Sequence, residues 1–150
     1  MSGPALRNVD SHSSIHEAAL EEAKELTELL GQFLMKNELD KALDVAYIII
    51  EHWETRTLQH ATSEEEGLYK ETVESKPELR DSITSLTRDH DLMRYLAGEI
   101  RELLASEGIS DKILQRFHAL ILIDLMHNRD ELKMIGEELE ESSHESDEAV

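Results

Sequence analysis

At 150 residues with 39% apolar content, the chain suits one domain with a real core and is too apolar for a disordered segment. A formal charge of −19 argues against nucleic acid or an anionic membrane as a partner, because phosphate binding needs clustered Lys and Arg. The absence of cysteine removes disulfides, thiolate metal sites and thiol catalysis, and points to a cytoplasmic location.

Residues 1–13 read as a flexible N-terminal segment without the charged-then-apolar pattern of a secretory signal. The first helix is expected to open at Ser14, since Ser14-Ile15-His16-Glu17 has the capping-box form. Leu20, Ala23, Leu26, Leu30, Phe33 and Leu34 then recur at helical spacing, and Asn37 breaks the run. A second helix is expected from about Glu38 through Ile49 and Trp53 toward Tyr69. Lys76-Pro77 marks the next boundary, because proline suits a first helical turn. Ile83, Leu86, Met93, Ile100 and Leu104 carry the third helix to a stop at Gly108. Ser110 and Asp111 cap a fourth, which continues through Phe117 and Leu120 to about Leu139. Residues 142–150 are acidic and read as a disordered tail. The expected fold is therefore all-α: one up-down-up-down four-helix bundle over residues 14–141, with no stretch apolar enough to span a bilayer.

Four histidines fall at one height in such a bundle. In antiparallel neighbours, residues share a level when the turn lies midway between them. The midpoint of His16 and His60 is Glu38, and that of His60 and His90 is Ser75. The midpoint of His90 and His127 lies between Gly108 and Ile109, so all three midpoints land on predicted turns. Each histidine also shares a face with apolar neighbours: Ala19 and Leu20, Trp53, Leu86 and Met93, Ile123 and Leu120. An inward histidine costs stability unless its ring nitrogens are satisfied.

Glu64 follows His60 by four residues, and Glu131 follows His127 by four. Such pairs share a helix face, about 6 Å apart along the axis. The second and fourth helices run parallel in this topology, so both carboxylates lie on one side of the histidine layer. Two converging carboxylates can bridge metal ions about 3.5–4 Å apart. Imidazole and carboxylate without sulfur suit iron, manganese or zinc, and ligand type alone does not choose among them; a four-His, two-Glu set on a helical bundle makes iron the preferred expectation. One inward histidine is commonly just a core residue, and one His-x-x-x-Glu pair is common. Four aligned histidines with two such pairs are far harder to reach by chance. The expected metal ligands are His16, His60, Glu64, His90, His127 and Glu131.

These residues resemble the hemerythrin-like, or HHE cation-binding, family from about His16 to Leu139. The carriers are Ile15-His16-Glu17, His60-Ala61-Thr62-Ser63-Glu64-Glu65-Glu66, Arg88-Asp89-His90-Asp91, and His127 with Glu131. The resemblance implies two iron ions with an oxo, hydroxo or water bridge and bridging Glu64 and Glu131. The oxygen carriers have a second histidine one turn away on the third helix, where this chain has Leu86 and Arg94. They also place an aspartate five residues after the last histidine, where Leu132 stands here. The ligand set is closer to that of iron-centre repair proteins, without their cysteine-bearing N-terminal domain.

The expected function is binding or sensing of oxygen, nitric oxide or iron, with no obvious substrate pocket. The alternatives are a di-iron redox enzyme, reducing peroxide or nitric oxide or donating iron to damaged clusters, and a metal-free interaction module. His118 is expected outward, His144 in the tail and His12 ahead of the first helix. His52 is expected to be satisfied or on the surface, and Glu65 and Glu66 to point away from the site unless a one-residue helix irregularity brings one of them in. For Tyr47, Tyr69 and Tyr95 packing is the commoner role, with hydrogen-bond donation to the site or redox activity as alternatives.

Overall fold

The computed structural model describes the backbone of residues 9–148 and the side chains of residues 14–135. Among them the fold is all-helical, without a strand. Helix α1 spans Val9–Met35, and α2 spans Leu39–His52. A π-helical turn, Trp53–Leu58, leads into α3, Gln59–Glu66, and α4, Leu68–Ser75. A 3-10 turn, Pro77–Leu79, precedes α5, Arg80–Ser106, and α6 runs Asp111–Glu148. No described helix is long and apolar enough to cross a membrane.

The turns sit where backbone chemistry puts them. Asn37 takes φ 57°, the left-handed region that Asn tolerates better than most residues. The Glu38 N–H then donates to the Phe33 carbonyl at 2.9 Å, closing the end of α1. Gly108 does the same for α5, with φ 77° and its N–H 3.1 Å from the Leu103 carbonyl. Pro77 heads the 3-10 turn, where its missing N–H costs nothing.

Three boundaries differ from expectation. Helix α1 begins at Val9, five residues before Ser14, so the capping-box residues lie inside it. No Gly or Pro occurs between Pro4 and Gly31, so nothing in the chain forces a start at Ser14. The second helical run is not continuous but widens at Trp53–Leu58, breaks at Gly67 (φ −110°, ψ −90°) and reaches Ser75. Helix α6 continues to Glu148, so residues 142–148 are helical in backbone where a tail was expected. The rest of that tail and residues 1–8 lie outside the described residues.

Helix α1 packs against α2 and α6, and α5 packs against α6. The core divides in two. A large cluster gathers Leu30, Ile49, Trp53, Ile100, Phe117 and Leu120, while a smaller one holds Tyr69, Ile83, Leu86, Met134 and Ile135. Between them, on α5 between Leu86 and Met93 and on α6 between Ile123 and Met134, lie His90 and His127. A polar layer is thus sealed from both sides. Phe117 is fully buried in the large cluster, and Phe117→Ala is expected to cost about 3–5 kcal/mol by denaturant titration.

Candidate metal centre

All six residues expected as ligands come together. Helix α1 supplies His16, α3 supplies His60 and Glu64, α5 supplies His90, and α6 supplies His127 and Glu131. Glu64, His90, His127 and Glu131 are each at most 1% exposed. Their donor atoms lie within 4.8 Å of one another, and those of His16, His60 and Glu64 form a second such group. Glu64 belongs to both. Its Oε1 is 3.7 Å from His60 Nε2 and 3.6 Å from His90 Nε2, while Oε2 is 3.7 Å from His16 Nε2. Glu131 divides its oxygens likewise, with Oε1 3.2 Å from His16 Nε2 and Oε2 3.2 Å from His127 Nε2.

Surrounding carboxylates fix the ring orientations. Glu65 pairs with Arg94 at 2.6 Å and accepts the Nδ1–H of His90 at 2.8 Å. Asp89 accepts the Nδ1–H of His127 at 3.0 Å. Each ring therefore presents Nε2 inward, the arrangement that outer carboxylates impose on metal-binding imidazoles. The two Nε2 atoms face each other at 3.1 Å. Two imidazole nitrogens bound at right angles to one ion, each about 2.1 Å from it, lie roughly 3 Å apart. Without an ion, only a proton can relieve two facing lone pairs. Tyr69 closes the layer: its ring stacks on His90 at 5.6 Å, and its hydroxyl donates to Glu131.

The electrostatics agree. Burial opposes charge on His16, but Glu131 and Glu64 outweigh it and raise its pKa to about 10. His127 is also raised, by Glu131 and Asp89 against burial. Burial and then the His127 charge lower His90 to about 4. Burial, then Glu131 and Glu64, push the Tyr69 hydroxyl well above its ordinary value. Without metal, the two inward carboxylates are balanced by protons on His16 and His127.

No family profile, curated protein or solved structure matches this chain. The donor set therefore carries the argument alone. A buried group of four imidazoles and two shared carboxylates, with protons standing where cations would, is able to hold metal.

Two residues beyond the six belong to the site. Glu65 was placed away from it, yet it turns to His90, because a residue one step from inward Glu64 lies at the α3–α5 seam. Tyr69 takes the hydrogen-bonding role that stood as the alternative to packing. Asp89 and Arg94 were not foreseen as partners of the site. Asp124 was missed too: it is 1% exposed, raised to about 6 by burial, and its Oδ1 has no hydrogen-bond partner among the described residues. It lies three residues before His127 on the same face, a spacing that could have revealed it.

His118 and Glu66 are exposed, as expected. His52 is buried and donates from Nε2 to the Ala19 carbonyl at 2.9 Å. Tyr47 and Tyr95 are exposed, and the side chains of His12 and His144 lie outside the described residues. Asp89→Asn keeps the shape but removes the charge behind His127. We expect a roughly 10–100-fold loss of metal affinity in competition with a chelator, with unchanged helical circular dichroism.

Proposed function

We propose that this chain is a non-heme di-iron protein, an up-down-up-down bundle of the hemerythrin-like kind, that binds or senses oxygen, nitric oxide or iron. One observation carries the reading. Glu131 divides its oxygens between His16 and His127 at 3.2 Å each, while Glu64 belongs to both donor groups. Carboxylates shared in this way suit two ions about 3.5–4 Å apart.

His16 and His60 would hold one ion, His90 and His127 the other, with Glu64 and Glu131 between them. Bound iron would supply open coordination positions for a diatomic ligand and one-electron chemistry. The chain's own residues shape that chemistry. Glu65 and Asp89 orient His90 and His127, Tyr69 holds a proton against Glu131, and the flanking apolar clusters limit water. The sulfur-free donor set suits iron, manganese or zinc, and iron is the proposed metal because the four-His, two-Glu set stands on a helical bundle.

The test is metal content and optical spectrum of chain purified without air after iron-supplemented expression, then exposed to oxygen or nitric oxide. We expect close to two iron ions per chain and a spectral change on exposure. A folded product that takes up no metal would sink the proposal. Turnover of peroxide or nitric oxide would instead favour the enzyme.

A further inference from the structure

Helix α6 carries a second apolar stripe. Its inward face holds Leu120, His127, Glu131 and Met134, yet Leu122, Leu125 and Leu132 also recur along it and are 59%, 46% and 46% exposed. Together with exposed Arg129 they are spaced three, four and three residues apart, the period at which one helix packs a seam against another. Exposed Met126 widens the stripe. Scattered surface leucines are ordinary, but a contiguous run at seam spacing marks a surface that packs against a partner.

Arg129 narrows the partner. It has no ion-pair partner among the described residues, in a chain with 34 acidic and 15 basic residues. Its complement is on the same molecule: exposed Glu17 and Glu21 of α1 line one surface with Leu125. Leu122 and Leu132 lie five residues either side of His127, and Leu125 and Arg129 lie two either side. Two copies of α6 laid antiparallel, with a two-fold axis at the height of His127, therefore set Leu122 on Leu132 of the second copy. They also set Leu125 on Arg129 of the second copy, which arrives beside Glu17 and Glu21, and each contact is made twice. A parallel pairing would put Arg129 against itself, two like charges in contact. The −19 charge opposes self-association at long range, and the two guanidinium groups offset it at the contact.

We infer that this face of α6 binds a second copy of the chain, forming an antiparallel two-fold dimer along Leu122, Leu125, Arg129 and Leu132. The dimer goes beyond the di-iron reading and does not rest on it. Leu125, Arg129 and Leu132 also border the groove that opens beside His16 and Glu131, so the second copy covers that opening.

Sedimentation velocity of the full chain as purified, at about 100 μM, should give twice the chain mass; a contact of one helix face is small and calls for such a concentration. Leu125→Asp should sediment as a monomer with unchanged helical circular dichroism. Arg129→Glu should weaken dimerisation about tenfold or more, by placing like charges beside Glu17 and Glu21. Adding Glu21→Arg to that variant should recover most of the loss, which a merely structural role for Arg129 would not allow. Because the chain has no cysteine, introduced ones report the direction of pairing. Leu122→Cys mixed with Leu132→Cys should form a disulfide-linked dimer under mild oxidation. Neither variant should link to itself, because matching positions stand about ten residues of helix, roughly 15 Å, apart. A wild-type monomer at that concentration, a Leu125→Asp dimer, a charge swap that restores nothing, or self-linking by either cysteine variant would overturn the proposal. A wild-type dimer with mixed linkage in a chain that takes up no iron would uphold it while refuting the di-iron reading.

Discussion

Glu131→Ala is expected to purify with less than about a tenth of the wild-type metal, while His118→Ala keeps all of it. Glu131 places one oxygen 3.2 Å from a histidine on each side of the site. Its loss removes a donor from both groups at once and strands the Tyr69 hydroxyl that donates to it. The metal-free fold should suffer as well. His16 would lose the nearer of its two carboxylates and keep Glu64 at 3.7 Å, and breaking a buried ion pair costs about 3–5 kcal/mol. Elemental analysis alongside circular dichroism separates loss of metal from loss of fold. Metal content equal to that of His118→Ala, in a folded Glu131→Ala protein, would refute the ligand assignment.

The sequence exposed the fold wherever the backbone needed an unusual residue. Asn37 and Gly108 occupy left-handed positions, and Pro77 starts a turn, so each boundary had a chemical marker. The widened turn at Trp53–Leu58 has no such marker. It contains neither Gly nor Pro, and Trp53 and Thr57 within it are buried. Such turns concentrate near functional sites, and this one ends just before His60.

The same contrast runs through the site. The four inward histidines were legible because each falls on an apolar stripe, and the two glutamates because each stands four residues after one of them. Their outer partners were not, because Asp and Glu together number 34 and most face water. Glu65 and Asp89 each adjoin an inward residue, and only the rotation of α3 and α5 decides that they face a neighbouring helix rather than solvent. Arg94 shows the gain from coordinates most clearly. In the sequence it stood only as a residue four after His90 that cannot replace a histidine, whereas the structure shows it clamping Glu65 behind His90.

Metal uptake is expected to strengthen by at least tenfold for each pH unit between about 7 and 9, because an ion must displace the proton held by His16. The His16 pKa is about 10 in the fold against an ordinary 6.5. In the metal-free protein its stabilising contribution is therefore complete below 6.5 and is lost as pH rises through 10. His127, also raised, acts in the same direction. Asp124, raised from 3.8 to about 6, favours the fold below 3.8 and loses that effect as pH passes 6. His90, lowered to about 4, works oppositely, adding stability as pH climbs from 4 to 6.5. Above pH 7 the two raised histidines lose their protons, so metal-free melting temperature should fall toward pH 10. The loaded protein should not follow it, because a metal-bound nitrogen has no proton to lose. Chelator competition and thermal melts at matched pH test both halves. An affinity flat between pH 7 and 9 would mean that His16 and His127 are already neutral without metal, and that neutral hydrogen bonding, not charge, holds the empty layer together.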